Sequence, residues 1–286
     1  MRRFLAICLL LGAVVWGGQA YAQHTLGVTG GYGSGTARFY PEEETRSIWG
    51  CYTAGVTWRY YGPQRFVGGF GVDFEFLQRG FSYAPNVSKG DDPSTFKWYT
   101  RRVNSLVLPI VWQPHIYLLK NRMRVFLDLS VYFSYNISST YVNDYARAQY
   151  EAAGPGSPQY GKPWRGEYDF KVARDNRWGY GLAGGGGFAV LVDRLEFSLR
   201  VRYYFGYSDL LRNRNKYAGN TTDIASSKPA ENPFTYTPLR SPLDNLTFTV
   251  GISYRFNKGG FTEWSNHRHK REKVKESFDY KGQTKK

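Results

Sequence analysis

The 286-residue sequence predicts an all-β fold: an eight-stranded antiparallel up-and-down transmembrane β-barrel with long extracellular loops and short periplasmic turns. Three observations carry this reading. Apolar and polar residues alternate with a period of two in one segment after another. The chain opens on an export signal. Beyond that signal no apolar run approaches the roughly 18 to 20 residues a membrane helix needs. A closed barrel then crosses a bilayer without leaving sheet edges unsatisfied in lipid.

The export signal spans residues 1–22. Arg2 and Arg3 are its basic start, an apolar run follows from Phe4 to Val15, and small Ala20 and Ala22 flank Tyr21 before a cut at Gln23. Cys8 follows bulky Ile7 and so lacks the small neighbour a lipidated cysteine requires. Without the signal, Cys51 is the remaining cysteine, which excludes an intramolecular disulfide and a thiolate metal cluster. Strand pairing and burial must hold the fold together.

Strand one, roughly 24–33, sets Leu26, Val28 and Tyr32 against Thr25, Gly27, Thr29 and Gly31. In strand two, roughly 48–61, Ile48, Tyr52, Ala54, Val56, Trp58 and Tyr60 oppose Cys51, Thr53, Gly55, Thr57 and Arg59. The Gly-Pro pair in residues 62–65 is a tight-turn signal. Strand three, roughly 66–83, alternates Phe66, Phe70, Val72, Phe74 and Phe76 with Asp73 and Glu75, a pattern that requires a wet second face. Strand four, roughly 99–112, is apolar on both faces through Val103, Leu106, Val107, Leu108, Ile110 and Val111. Its Pro109 lacks a ladder donor and predicts an irregularity.

Strand five, roughly 124–139, sets Val125, Leu127, Leu129, Val131, Phe133, Tyr135 and Ile137 outward, with Asp128, Ser130, Ser134, Asn136 and Ser138 inward. Strand six, roughly 177–191, opposes Trp178, Tyr180, Leu182, Phe188 and Val190 to a glycine and alanine face. Strand seven, roughly 195–206, follows the short turn Asp193-Arg194 and turns Glu196, Ser198, Arg200, Arg202 and Tyr204 inward. Strand eight, roughly 245–257, alternates Leu246, Phe248, Val250, Ile252, Tyr254 and Phe256 with small or polar residues.

The long links fall roughly at 34–47, 84–98, 140–176 and 207–243, after strands one, three, five and seven. Long loops belong outside and short turns in the periplasm, so both termini are expected in the periplasm. Patches at 168–172 and 234–236 have hairpin character and would extend the barrel above the membrane, which leaves a ten-strand count open. Residues 23–257 thus form the barrel. Residues 258–286 form a basic periplasmic tail that reads as disordered, with nine Lys or Arg against four Asp or Glu from Asn257 on.

A mean hydropathy of -0.51 is compatible with this fold, because only every second strand residue meets lipid. The 18% aromatic content supplies interfacial girdles. The formal charge of +15, or +13 without Arg2 and Arg3, points away from nucleic acid in an exported chain and towards anionic lipopolysaccharide and outer-membrane lipid. For the tail, each basic residue near an anionic headgroup surface contributes about 1 kcal/mol.

The segment Thr249-Val250-Gly251-Ile252-Ser253-Tyr254-Arg255-Phe256 resembles the β-signal of outer-membrane proteins: a polar residue, then Gly, then two aromatics in alternation. That resemblance assigns Thr249, Gly251, Tyr254 and Phe256 to recognition by the barrel assembly machinery. It departs from the pattern in that about 30 residues follow. With the signal peptide, the alternating segments and the Gly/aromatic strand at Trp178 to Val190, the chain resembles the PorT-like outer-membrane β-barrel family of Bacteroidetes. The resemblance implies location and fold, but members do not share one activity. The founding member is implicated in type IX protein secretion, which implies envelope protein partners.

The inward faces gather Arg59, Asp73, Glu75, Asp128, Glu196, Arg200, Arg202 and Arg255. One reading is a charged pore lining, hence a narrow ion or solute channel. The other is a paired, hydrogen-bonded plug, favoured because eight strands enclose a lumen that side chains fill. The run Gly179-Tyr180-Gly181-Leu182-Ala183-Gly184 spells a dinucleotide fingerprint but is followed by more strand and no helix. Nucleotide binding is therefore not expected, and no cofactor or metal site is assigned. Small outer-membrane enzymes acting on lipid A use a histidine near the outer leaflet. Here His24 begins strand one, His115 sits in a periplasmic turn, and His267 and His269 lie in the tail. The expected function is accordingly non-enzymatic, structural or binding, through extracellular loops. The alternatives are the narrow channel and an accessory barrel of a type IX-like secretion system.

Overall fold

The computed structural model describes residues 23–40, 42, 44–61, 68–84, 92–119, 122–152, 164–170, 175–211 and 240–256. Eight long strands make the wall: β1 (Gln23–Ala37), β2 (Ile48–Tyr61), β3 (Gly69–Ala84), β4 (Tyr99–Gln113), β5 (Met123–Asn143), β6 (Trp178–Val192), β7 (Leu195–Gly206) and β8 (Leu243–Arg255). Each strand pairs antiparallel with the next. β8 returns to β1 from Thr25↔Arg255 to Ala37↔Leu243, so the sheet closes and has no edge in its wall. β2 and β7 have the bounds expected from alternation alone, and the others differ by a few residues at their ends.

Three short strands add to the rims without entering the ring. Glu44–Arg46 pairs with β3, and His115–Leu118 and Arg165–Glu167 pair with β5. The export signal, the basic tail with His267 and His269, the turn at 62–65, Phe66 and the patch at 234–236 lie outside the described residues. The patch expected at 168–172 is corrected for its described part. The strand there is Arg165–Glu167, while Tyr168 and Phe170 are buried in a cluster with Tyr83, Tyr99 and Tyr141. A helix, α1 (Asp144–Ala152), follows β5 where a loop was expected. Asp144 stands in its first turn, favourable at the positive end of the helix, and Arg147 pairs with Glu151 at 2.8 Å one turn along. No described helix is long and apolar enough to cross a membrane.

Outward side chains are apolar and uncovered. Val28 is 60%, Phe74 55% and Val250 63% exposed, a degree of apolar exposure that calls for hydrocarbon rather than water around the wall. Inward positions carry the buried polar residues, including Asp73, Glu75, Asp128 and Arg202. The two-sided apolarity of β4 has a local cause. Leu106, Leu108 and Ile110 point out, while Val107 packs inside with Leu77, Tyr132, Ala183 and Tyr204.

Two bulges shift the alternation: one where Gly33↔Cys51 steps to Ser34↔Trp49 and passes over Gly50, so that Trp49 rather than Ile48 is exposed, and one in β5. Asn104 pairs with Ser138 and Ser105 with Asn136, which leaves Ile137 as an extra residue in β5. Past this bulge the phase flips: Ser138, expected inside, is exposed, and Ser139 takes the inward place and donates to the Arg102 carbonyl at 2.9 Å. The β3–β4 ladder steps from Val72↔Ile110 to Glu75↔Val107 and passes over Leu108 and Pro109, whose ring nitrogen carries no hydrogen.

Candidate functional site

Six of the expected inward charges meet at mid-height in the lumen. Alternation on four strands delivers them: Arg59 from β2, Asp73 and Glu75 from β3, Asp128 from β5, Arg200 and Arg202 from β7. Arg59 donates to both carboxylate oxygens of Asp73, with Nη2 to Oδ2 at 2.9 Å. Arg200 reaches Asp73 Oδ2 at 3.1 Å and Glu75 Oε1 at 2.8 Å. Arg202 reaches Asp73 Oδ2 at 2.9 Å and Glu75 Oε1 at 3.1 Å, and holds Asp128 through two bonds of 3.1 and 2.8 Å. The Tyr204 hydroxyl closes the set by donating to Glu75 Oε2 and accepting from Arg202 Nη1.

Room for these long side chains comes from glycine on the adjoining strand. Arg59 lies opposite Gly71, Glu75 opposite Gly55, Arg200 opposite Gly187 and Arg202 opposite Gly185. A Cβ at Gly71 would stand 2.7 Å from Arg59 Cδ, and one at Gly55 2.8 Å from Glu75 Cγ. The glycine face of β6 is thus a steric complement to the arginine face of β7. The fingerprint-like run starting at Gly179 lies within β6 with strand on both sides and no helix following it.

Three guanidinium groups against three carboxylates make the cluster neutral. Burying an ion costs several kcal/mol after relaxation, and the cost is offset only when the partners' geometry is good. Charge-assisted and bidentate bonds supply that geometry here. The arrangement fills and cross-braces the lumen.

The other two expected members lie elsewhere. Glu196 pairs with Arg124 near the end of the barrel where β1 begins and β8 ends, and the Arg124 guanidinium lies 4.1 Å from the Tyr61 ring centroid. The Tyr61 hydroxyl in turn donates to Gln113 Oε1 at 2.6 Å. Arg255 is the correction to the set: at the last position of β8 it makes no ion pair with the cluster and donates to the Asp193 carbonyl, tying the rim to the turn.

Sequence reasoning missed three lumen arginines: Arg79, Arg101 and Arg124. Arg79 and Arg124 have the parity of recognised inward residues, Asp73 and Asp128, while Arg101 lies on β4, where both faces are apolar and alternation marks no inward side. Arg79 Nη2 donates to Ser105 Oγ, Ser134 Oγ and Asn136 Oδ1 at 3.1 to 3.2 Å. Arg101 Nε donates to Ser139 Oγ at 2.9 Å, and its guanidinium stacks 3.6 Å from the Tyr168 centroid.

Of the residues assigned to assembly, Thr249 and Gly251 face the lumen, and Thr249 Oγ1 accepts from Arg200 Nε at 3.3 Å. Tyr254 and Phe256 project outward with rings 5.3 Å apart, and the Tyr254 hydroxyl accepts from Arg194 at 2.8 Å.

A family model described as outer membrane protein beta-barrel domain matches residues 21–212. Among solved structures, the chain is similar to Ail, the attachment invasion locus protein of Yersinia pestis, at 12% identity over 82% of this chain and 99% of that one, with a TM-score of 0.34. It is similar to Neisserial surface protein A at 8% identity over 82% and 97%, with a TM-score of 0.35. OprG from Pseudomonas aeruginosa gives 12% identity over 83% and 97%, with a TM-score of 0.36. No curated protein matches.

Proposed function

The chain belongs to the outer membrane β-barrel domain family and resides in the outer membrane, and from that premise we propose that it is a non-enzymatic barrel that presents loops on a braced scaffold. One observation carries the reading: a neutral, fully bonded ion cluster joins β2, β3, β5 and β7 across the lumen where a conducting pore would need open water. The scaffold is rigid and filled, so specificity resides in the long links 38–47, 85–98, 144–177 and 207–242, which we assign to the cell exterior. Outer-membrane lipid and lipopolysaccharide surround the wall, and the barrel assembly machinery reads the last strand. Among the described residues, His24 and His115 both stand at the end where β1 begins and β4 ends, away from the long links, which supports a non-enzymatic role.

Planar-bilayer recording of the purified chain is the test. The expected trace shows no openings above background, and steady single-channel steps would overturn the plug in favour of a narrow channel. Within the family, the finer likeness to PorT-like barrels is supported by the Gly/aromatic strand β6 and the closing Tyr254-Arg255-Phe256. An accessory role in type IX-like secretion rests on that likeness, and co-purification of secretion components from membranes would support it. A chain that purifies alone would remove it.

A further inference from the structure

The lumen is asymmetric in charge. Among the described residues, Arg59, Arg124, Arg200 and Arg202 each pair with a carboxylate, whereas Arg79 in the loop half of the lumen has no carboxylate within 4 Å. Arg79 is 5% exposed and its one bonded nitrogen serves three neutral oxygens. Its Nε has no acceptor at hydrogen-bond distance, and the buried Tyr132 hydroxyl beside it has no partner other than Arg79 itself. A buried cation in this state is several kcal/mol out of balance unless something neutralises it.

Beside it lies a cavity of about 10 Å³, lined by Arg79, Tyr132, Asn136, Gly179 and Ser208, with room for about one water-sized particle. The nearby carboxylates are engaged elsewhere. Asp244 is held by Arg38 at 2.7 Å, and Asp209, which also lines the cavity, accepts from the Ser241 amide at 2.8 Å and from Arg240 at 3.4 Å. We infer that this cavity is a halide site, with one chloride accepting from Arg79 Nε and the Tyr132 hydroxyl. A space of this size beside a guanidinium suits a monatomic anion. The charge of Arg79 distinguishes the site from an ordinary water pocket.

The test uses the full chain in detergent micelles, with bromide as the crystallographic stand-in for chloride. Crystals soaked in sodium bromide should give an anomalous peak beside Arg79. In solution the thermal midpoint should be higher in sodium chloride than in sodium gluconate at equal ionic strength, with a saturable dependence, because a ligand bound to the native state alone stabilises it by mass action. Arg79→Gln should abolish the chloride-specific shift. Gly179→Ala should do the same while keeping the charge, since the added methyl enters the cavity 2.5 Å from Ser134 Oγ and 3.8 Å from Ser208 Oγ. It also serves if Arg79→Gln fails to fold. Arg147→Gln, on the exposed face of α1, should leave the shift unchanged. An anomalous map empty at Arg79, or a chloride shift that persists in Gly179→Ala, would overturn the site.

Discussion

Arg202 and Asp128 are 74 residues apart in sequence and meet through two parallel hydrogen bonds, Nε to Oδ1 at 3.1 Å and Nη2 to Oδ2 at 2.8 Å. The pair ties β7 to β5 through the interior while β6 lies between them in the wall. The same guanidinium also serves Asp73 and Glu75, so its removal would leave three carboxylates facing two cations. Arg202→Met should therefore destabilise the barrel by about 3 to 5 kcal/mol, the cost of an uncompensated buried charge. Urea unfolding from lipid vesicles measures this, and an unchanged midpoint would refute a bracing role. Arg202→Lys should recover only part of the loss, because a point ammonium cannot reproduce the planar fork.

Arg124 and Glu196 form a simpler pair, separate from the central cluster, and permit a cleaner experiment. Arg124→Met alone strands a buried carboxylate, and Glu196→Leu alone strands a buried guanidinium. Each should cost about 3 to 5 kcal/mol, while the double variant should cost clearly less than their sum. Strict additivity in the cycle would mean that the two groups do not depend on one another.

The closing seam between β1 and β8 predicts a contrast between neighbouring glycines. A methyl group at Gly31 would collide with the Phe248 carbonyl oxygen, whereas at Gly30, on the outer face, nothing lies nearer than the Thr53 carbonyl at 4.0 Å. Gly31→Val should lose at least the roughly 1 to 3 kcal/mol of an overpacked site and show reduced heat-modifiable mobility on gels. Gly30→Ala should migrate as the parent does. Equal behaviour of the two variants would contradict the seam.

His115, in the short strand beyond β4, should titrate far below an ordinary imidazole. Burial pushes its pKa down to about 4, with nearby Arg124 acting in the same direction and a hydrogen bond to the Gln113 carbonyl opposing them. The unfolded chain binds this proton near pH 6.5, so between those values the unfolded state holds more protons. The contribution of neutral His115 to stability is full above about pH 6.5 and is lost as pH falls towards 4. Proton NMR titration of the imidazole in micelles checks the value, and an ordinary midpoint would show the ring to be solvated.

Much of the wall was legible because a period of two is written directly into residues such as Val125 to Tyr135, where lipid and lumen alternate without exception. The six-membered cluster was legible for the same reason: parity alone turns Arg59, Asp73, Glu75, Asp128, Arg200 and Arg202 inward. Parity fails where the backbone gains a residue. The bulge at Ile137 is stabilised by pairing with a strand more than 30 positions away, so nothing local to Ser138 announces it. Arg255 had the right parity and the wrong height, since alternation gives a face and says nothing about depth along the barrel axis. Arg79 and Arg101 sit on inward positions beyond the stretches of clean alternation. The burial of Tyr168 and Phe170 against Arg101 depends on how a long link folds back, which composition does not encode.

Thr25 and Arg255 are seam partners at opposite ends of the strand order, 230 positions apart. During synthesis the ribosome must therefore release residues 243–255 before residues 25–37 gain their second neighbour. Until then the nascent chain carries two unsatisfied borders, which water tolerates and hydrocarbon does not. Export must deliver it unfinished, and the step that completes the wall must also be the step that commits it to the bilayer.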